Sequence, residues 1–85
     1  MEIIYSEKAQ ADIAYWKKSG NIRLMKKITS LLESMLISPL QGIGKPEPLK
    51  YELTGKWSRR INNEHRIVYS LQEDIIKIHS LKGHY

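Results

Sequence analysis

His65-Arg66-Ile67-Val68-Tyr69-Ser70-Leu71, then Gln72-Glu73-Asp74, then Ile75-Ile76-Lys77-Ile78-His79-Ser80-Leu81: the reading of this stretch decides the fold. The first run alternates, with His65, Ile67, Tyr69 and Leu71 on one face and Arg66, Val68 and Ser70 on the other, which is the two-residue period of a strand. The polar triplet turns the chain. The second run alternates again, Ile76 and Ile78 sharing one face and Lys77 and His79 the opposite one. Strands joined by so short a turn form an antiparallel hairpin.

Upstream, Asn62-Asn63-Glu64 reads as another turn, Trp57 to Ile61 as an alternating strand, Thr54-Gly55 as a turn and Leu49 to Leu53 as a strand. Before them lies Leu40-Gln41-Gly42-Ile43-Gly44-Lys45-Pro46-Glu47-Pro48, a loop by composition. The first half of the chain is helical. Leu24, Met25, Ile28, Leu31, Leu32 and Met35 form the strongest periodic stripe in the sequence. Asn21 can cap that helix, and Ser38-Pro39 stops it, because a residue preceding proline is disfavoured in the helical region. An earlier helix starts at Ser6 as N-cap, with Glu7 in its first turn. It carries Ala9, Ile13 and Trp16 inward and ends at Ser19-Gly20. Glu2 to Tyr5 reads as a short strand.

The stripe of the second helix needs an apolar surface, and the face carrying Ile67, Tyr69, Ile76 and Ile78 supplies one. The expectation is an α+β fold: two N-terminal helices packed on one face of a mainly antiparallel sheet, in a single domain over residues 1–85. The other face, with Arg66 and its basic neighbours, is left to solvent.

Composition narrows the function. The hydrophobic fraction of 41%, with two Trp and five Tyr, belongs to a folded globule. Cysteine is absent, which removes disulfides and thiolate metal sites and fits a reducing compartment. The apolar run at Met1 to Tyr5 is broken by Glu7 and Lys8, too early for a signal peptide or a membrane span. A soluble, cytoplasmic protein without membrane contact is therefore expected. The 14 Lys and Arg against 9 Asp and Glu give a net charge of +5, and polyanions are the natural partners of such a body. The cations concentrate at Lys45, Lys50, Lys56, Arg59, Arg60 and Arg66.

His65, His79 and His84 lack zinc spacing and carry no carboxylate cluster with them, so no metal and no cofactor are expected. No serine sits in a strand–turn–helix elbow, and no Gly-rich loop opens a helix. What remains is Glu47, held between Pro46 and Pro48, Arg66 on the solvent-side face of a strand, and His84 next to the end. Singly, each has an ordinary explanation as a loop acid, a surface cation or a tail histidine. Together they fit metal-free RNA cleavage. A carboxylate takes the proton of the 2′-hydroxyl, a guanidinium holds the charge gathering on phosphate, and an imidazole protonates the departing 5′-oxygen.

On these residues the chain resembles the YoeB (Txe) family of toxins within the RelE/ParE superfamily. The likeness is most specific in Gly42-Ile43-Gly44-Lys45-Pro46-Glu47-Pro48-Leu49-Lys50, in Trp57-Ser58-Arg59-Arg60-Ile61 with Glu64-His65-Arg66-Ile67-Val68-Tyr69, and in His84-Tyr85. The resemblance implies a microbial-ribonuclease-like, RelE-type fold. It also implies the toxin of a type II toxin–antitoxin system that cuts messenger RNA in the ribosomal A site, giving a 2′,3′-cyclic phosphate and inhibiting translation. It makes Glu47 the general base, His84 the general acid and Arg66 the stabiliser of the transition state. Lys50 and Arg60 hold phosphates, with Arg59 beside them in the substrate-binding set, and Tyr85 lies against the substrate. His65 belongs to the same motif, but its parity points it to the core and gives it a structural role. Some relatives carry an aromatic where this chain has Gly83. Expected partners are mRNA, the ribosome and a cognate antitoxin of the YefM/Axe/Phd type, and a homodimer is compatible with the family. Two other readings use the same basic body: a non-catalytic RNA- or ribosome-binding module, and a ParE-like gyrase poison.

Overall fold

Ser6 stands in extended backbone and its hydroxyl accepts the Ala9 N–H at 3.1 Å, so the chain passes from β1 (Glu2–Tyr5) into α1 (Glu7–Ser19) through a side-chain cap. Gly20, at φ +73°, closes α1 in the left-handed conformation. Asn21 then caps α2 (Ile22–Ile37) through a 3.1 Å bond from the Leu24 N–H, and Ser38-Pro39 ends it. The computed structural model describes residues 1–83; His84 and Tyr85, expected as acid and substrate contact, lie outside the described residues.

The remaining strands are β2 (Glu47–Pro48), β3 (Trp57–Arg60), β4 (Arg66–Gln72) and β5 (Ile75–Ser80). They form one five-stranded sheet in the order β1-β5-β4-β3-β2, antiparallel except for β1 against β5. Both helices cover one face. Ala9 and Trp16 of α1 and Leu24, Ile28, Leu31 and Met35 of α2 pack with Ile67, Tyr69, Ile76 and Ile78. Met25 and Leu32 are half-buried at the margin of that core. No helix among the described residues is long and apolar enough to cross a membrane.

Three local features depart from simple alternation. The expected strand at Leu49–Leu53 is instead a single 3-10 turn at Tyr51–Leu53, and the edge strand lies earlier, at Glu47-Pro48. Proline lacks a donor, so Pro46 and Pro48 suit an edge strand, and Tyr51 at φ +58° turns the chain away from the sheet. Second, the β4–β5 register shifts between Val68 and Tyr69: Tyr69 faces Ile78 while Val68 faces Ser80, which leaves His79 as an extra residue on β5. That bulge reverses the parity of the residues after it and returns Leu81, fully buried, to the core.

The third concerns Arg59. Its place among the substrate-binding cations is corrected by the structure, because the side chain points inward and is 0% exposed. Its guanidinium donates to Tyr69 Oη, Ser34 Oγ and the carbonyls of Ser38, Pro39, Gln41 and Ile43, at 2.7–3.2 Å. These acceptors surround the C-terminal end of α2, a helix with no basic residue in its last turn. Arg59 therefore supplies the positive charge that the helix dipole favours there, and organises the loop leading to Glu47. Tyr69 Oη also donates to the Pro39 carbonyl at 2.7 Å, and burial raises its pKa above 10.0 despite the opposing effect of Arg59.

Candidate active site

The face of the sheet away from the helices gathers the expected polar residues by register alone. Residues directly opposed in an antiparallel pair share a face. Glu47 opposes Ser58, Ser58 opposes Val68, and Arg60 opposes Arg66. Glu47, Arg60 and Arg66 therefore project from the same side, away from the helices. With strands about 4.8 Å apart and about 3.4 Å per residue, the Cα atoms of Glu47 and Arg66 lie about 12 Å apart. A glutamate side chain, one phosphodiester and an arginine side chain fill such a gap.

Like charges directly opposed across strands destabilise a sheet. The Arg60–Arg66 pair is such a juxtaposition, and among the described residues neither arginine enters an ion pair. An anion bound between them would relieve that repulsion. Arg66 Nη1 donates to the carbonyls of Asn62 and His65, at 2.8 and 3.2 Å, so one arm of the fork is held on the β3–β4 turn. Glu47 is exposed at the sheet edge, with Lys50 exposed just beyond it.

The approach to Glu47 is held by backbone geometry. Gly44, at φ +83°, lets its carbonyl accept the Arg60 N–H at 2.7 Å, and a Cβ there would stand 2.6 Å from Leu31 Cδ2. Lys45 comes next at φ +52°, an unusual conformation for a residue with a side chain. Beyond Lys50, Tyr51 is 85% exposed in the left-handed region. Sequence reading assigned it to a strand and missed it as an aromatic presented beside the site; a tyrosine in a short segment after Pro48-Leu49-Lys50 carried no distinguishing signal. Further along the same face, Ser70 Oγ and His79 Nε2 are 2.8 Å apart. Burial, then Lys56, then Lys77 hold His79 below its ordinary 6.5.

His65 lies on the core side, as its parity suggested. Its ring meets Trp16 edge-on at 4.8 Å, and its Nδ1 accepts the Gly83 N–H at 2.8 Å. The Arg66 N–H donates in turn to the Gly83 carbonyl at 3.2 Å. The last described residue is thus bonded on both sides of its backbone to the start of β4.

Residues 5–85 match the family described as YoeB-like toxin of bacterial type II toxin-antitoxin system. The chain belongs to this family. It is 44% identical over 85 residues to Toxin YoeB of Escherichia coli strain K12, covering 100% of both chains. Among solved structures, the YoeB/ParE toxin from Agrobacterium tumefaciens superposes with a TM-score of 0.94 at 33% identity over all of both chains. The toxin chain of a YoeB–YefM complex from Staphylococcus aureus does so at 0.88 with 49% identity, over 98% of this chain and 95% of that one.

Proposed function

We propose that this toxin is an endoribonuclease that cuts messenger RNA in the ribosomal A site by acid–base transesterification. Glu47 takes the proton from the 2′-hydroxyl, whose oxygen attacks the adjacent phosphorus. Arg66 and Arg60 hold the non-bridging oxygens as negative charge gathers on them. His84 protonates the leaving 5′-oxygen, so the products carry a 2′,3′-cyclic phosphate and a 5′-hydroxyl. Each proton transfer is typically worth about 10²–10⁴-fold in rate. Lys50 draws in the flanking phosphates, and Tyr85 stacks on a base.

The observation that carries this reading is the register that puts Glu47, Arg60 and Arg66 on one face while Gly83 is tied to Arg66. Inducing the chain without its antitoxin is expected to arrest translation and yield message cut within the A-site codon. Glu47→Ala combined with His84→Ala should abolish those cuts, and undiminished cutting by the double variant would remove the acid–base assignment.

The Staphylococcus aureus complex with YefM points to the inhibitor. An acidic segment of a YefM-type antitoxin is expected to cross the cationic face and cover Arg60 and Arg66. The dimer solved for the Staphylococcus aureus YoeB makes self-association of this chain the second assembly to measure.

A further inference from the structure

The chain leaves the sheet through a set of fixed backbone bonds. The His79 bulge returns Leu81 to the core, where its N–H donates to Asp12 Oδ2 at 2.9 Å and its carbonyl accepts Trp16 Nε1–H at 2.9 Å. Both groups come from one face of α1. Trp16 then supports the His65 ring, T-shaped at 75°, and His65 Nδ1 accepts the Gly83 N–H. For that contact Nδ1 presents its lone pair to the Gly83 N–H, so the ring N–H lies on Nε2. Among the described residues, no atom lies within 4 Å of where a Cβ on Gly83, at φ +86°, would stand, so no side-chain packing from them holds it. Its position rests on its backbone bonds.

We infer that His65 is a positioning residue: its Nδ1 fixes the Gly83 amide and thereby sets the point beside Arg66 from which the chain continues into His84, the proposed acid. This rests on the nuclease reading, and it gives His65 a task beyond core packing. Displacement of a reacting group by about 1 Å can cost on the order of 10²-fold in rate, so a single hydrogen bond here acts on chemistry rather than on RNA affinity.

Two substitutions separate positioning from packing. In His65→Phe the ring stays against Trp16 and the acceptor is lost. In His65→Asn the ring is lost, but Oδ1, bonded to Cγ as Nδ1 is, keeps an acceptor in nearly the same place. Single-turnover cleavage of ribosome-bound message at saturating toxin is expected to fall about tenfold or more in His65→Phe, with half-saturation within about twofold of wild type. His65→Asn should cut faster than His65→Phe although its melting temperature is lower. A packing role predicts the reverse order of rates, tracking stability, and that order overturns the inference, as does wild-type cleavage by His65→Phe. If the wild-type chain cuts no ribosome-bound message, the nuclease reading is what fails. The Gly83 amide then decides the clamp: slow hydrogen exchange in wild type with fast exchange in His65→Phe supports it, and equal exchange overturns it.

Discussion

Replacing Arg59 with methionine tests whether its buried guanidinium is a structural cation or a substrate contact. The side chain makes six hydrogen-bond contacts with its five N–H groups, four of them to carbonyls of the Ser38–Ile43 segment. Taken singly, hydrogen bonds from a charged donor are worth about 1.5–3 kcal/mol each, but six such values overlap because they share one ion. Removing one partner of a buried charged network costs about 3–5 kcal/mol, and that is the figure expected here. For 85 residues the whole stability is about 4–13 kcal/mol, so the loss is a large fraction of it. Urea unfolding monitored by tryptophan fluorescence reads the effect. With a slope of about 1 kcal/mol per molar, the midpoint should fall by about 3 M or more, or the variant should be unfolded without urea. Arg59→Lys should recover only part of the loss, because one ammonium cannot reach acceptors spread around a planar fork. A midpoint for Arg59→Met within about 0.5 M of wild type, accompanied by weaker RNA binding, would refute the structural assignment.

The same geometry sets the outcome of five further substitutions. Gly44→Ala combines a left-handed backbone with contact to Leu31 and the Arg60 carbonyl, and should destabilise by about 2–4 kcal/mol in the same unfolding assay, whereas Gly20→Ala meets only the backbone cost of about 1–2 kcal/mol. Arg60→Gln removes one of two opposed cations, so it should weaken binding of single-stranded RNA and lower the slope of log affinity against log salt by about 0.7, with folding stability unchanged or raised. His79 is held below 6.5, so the unfolded chain binds its proton more readily than the folded one. Its contribution to stability is therefore constant above the ordinary histidine value and declines as pH drops below 6.5, levelling off only below the folded value; His79→Asn should remove that part of the pH dependence of the urea midpoint, and Lys77→Gln should move the His79 titration upward by NMR.

The fold was readable wherever one periodicity governed a whole element. The alternation of Ile67, Tyr69, Ile76 and Ile78 identified the buried face, and the Leu24–Met35 stripe identified the helix that covers it. Ser6, Asn21, Gly20 and Pro39 marked the helix ends because each acts through its own local chemistry. Tyr51 was not legible, since a left-handed tyrosine has no composition signal and the neighbouring prolines suggested extended chain. Nor was the bulge at His79, which changes parity without any Gly or Pro to announce it. Arg59 was grouped with Arg60 by charge, yet adjacent strand residues point to opposite faces, and Arg59 shares its parity with Trp57 and Ile61. That parity was the available signal, and it outweighs composition for a residue inside a strand. The Arg60–Arg66 opposition needed the register itself, because sequence spacing does not fix which residues of two strands meet.

The end chemistry of the cut message tests the central claim most directly. Ribosomes carrying a defined message are mixed with the wild-type chain, and the upstream fragment is analysed by mass spectrometry. A 2′,3′-cyclic phosphate at a cut within the A-site codon, with the yield abolished in Glu47→Ala and Arg66→Ala, is the predicted result. A 3′-hydroxyl end, or cyclic phosphate formed equally well by both variants, would contradict a base at Glu47 acting on a phosphate held by Arg66.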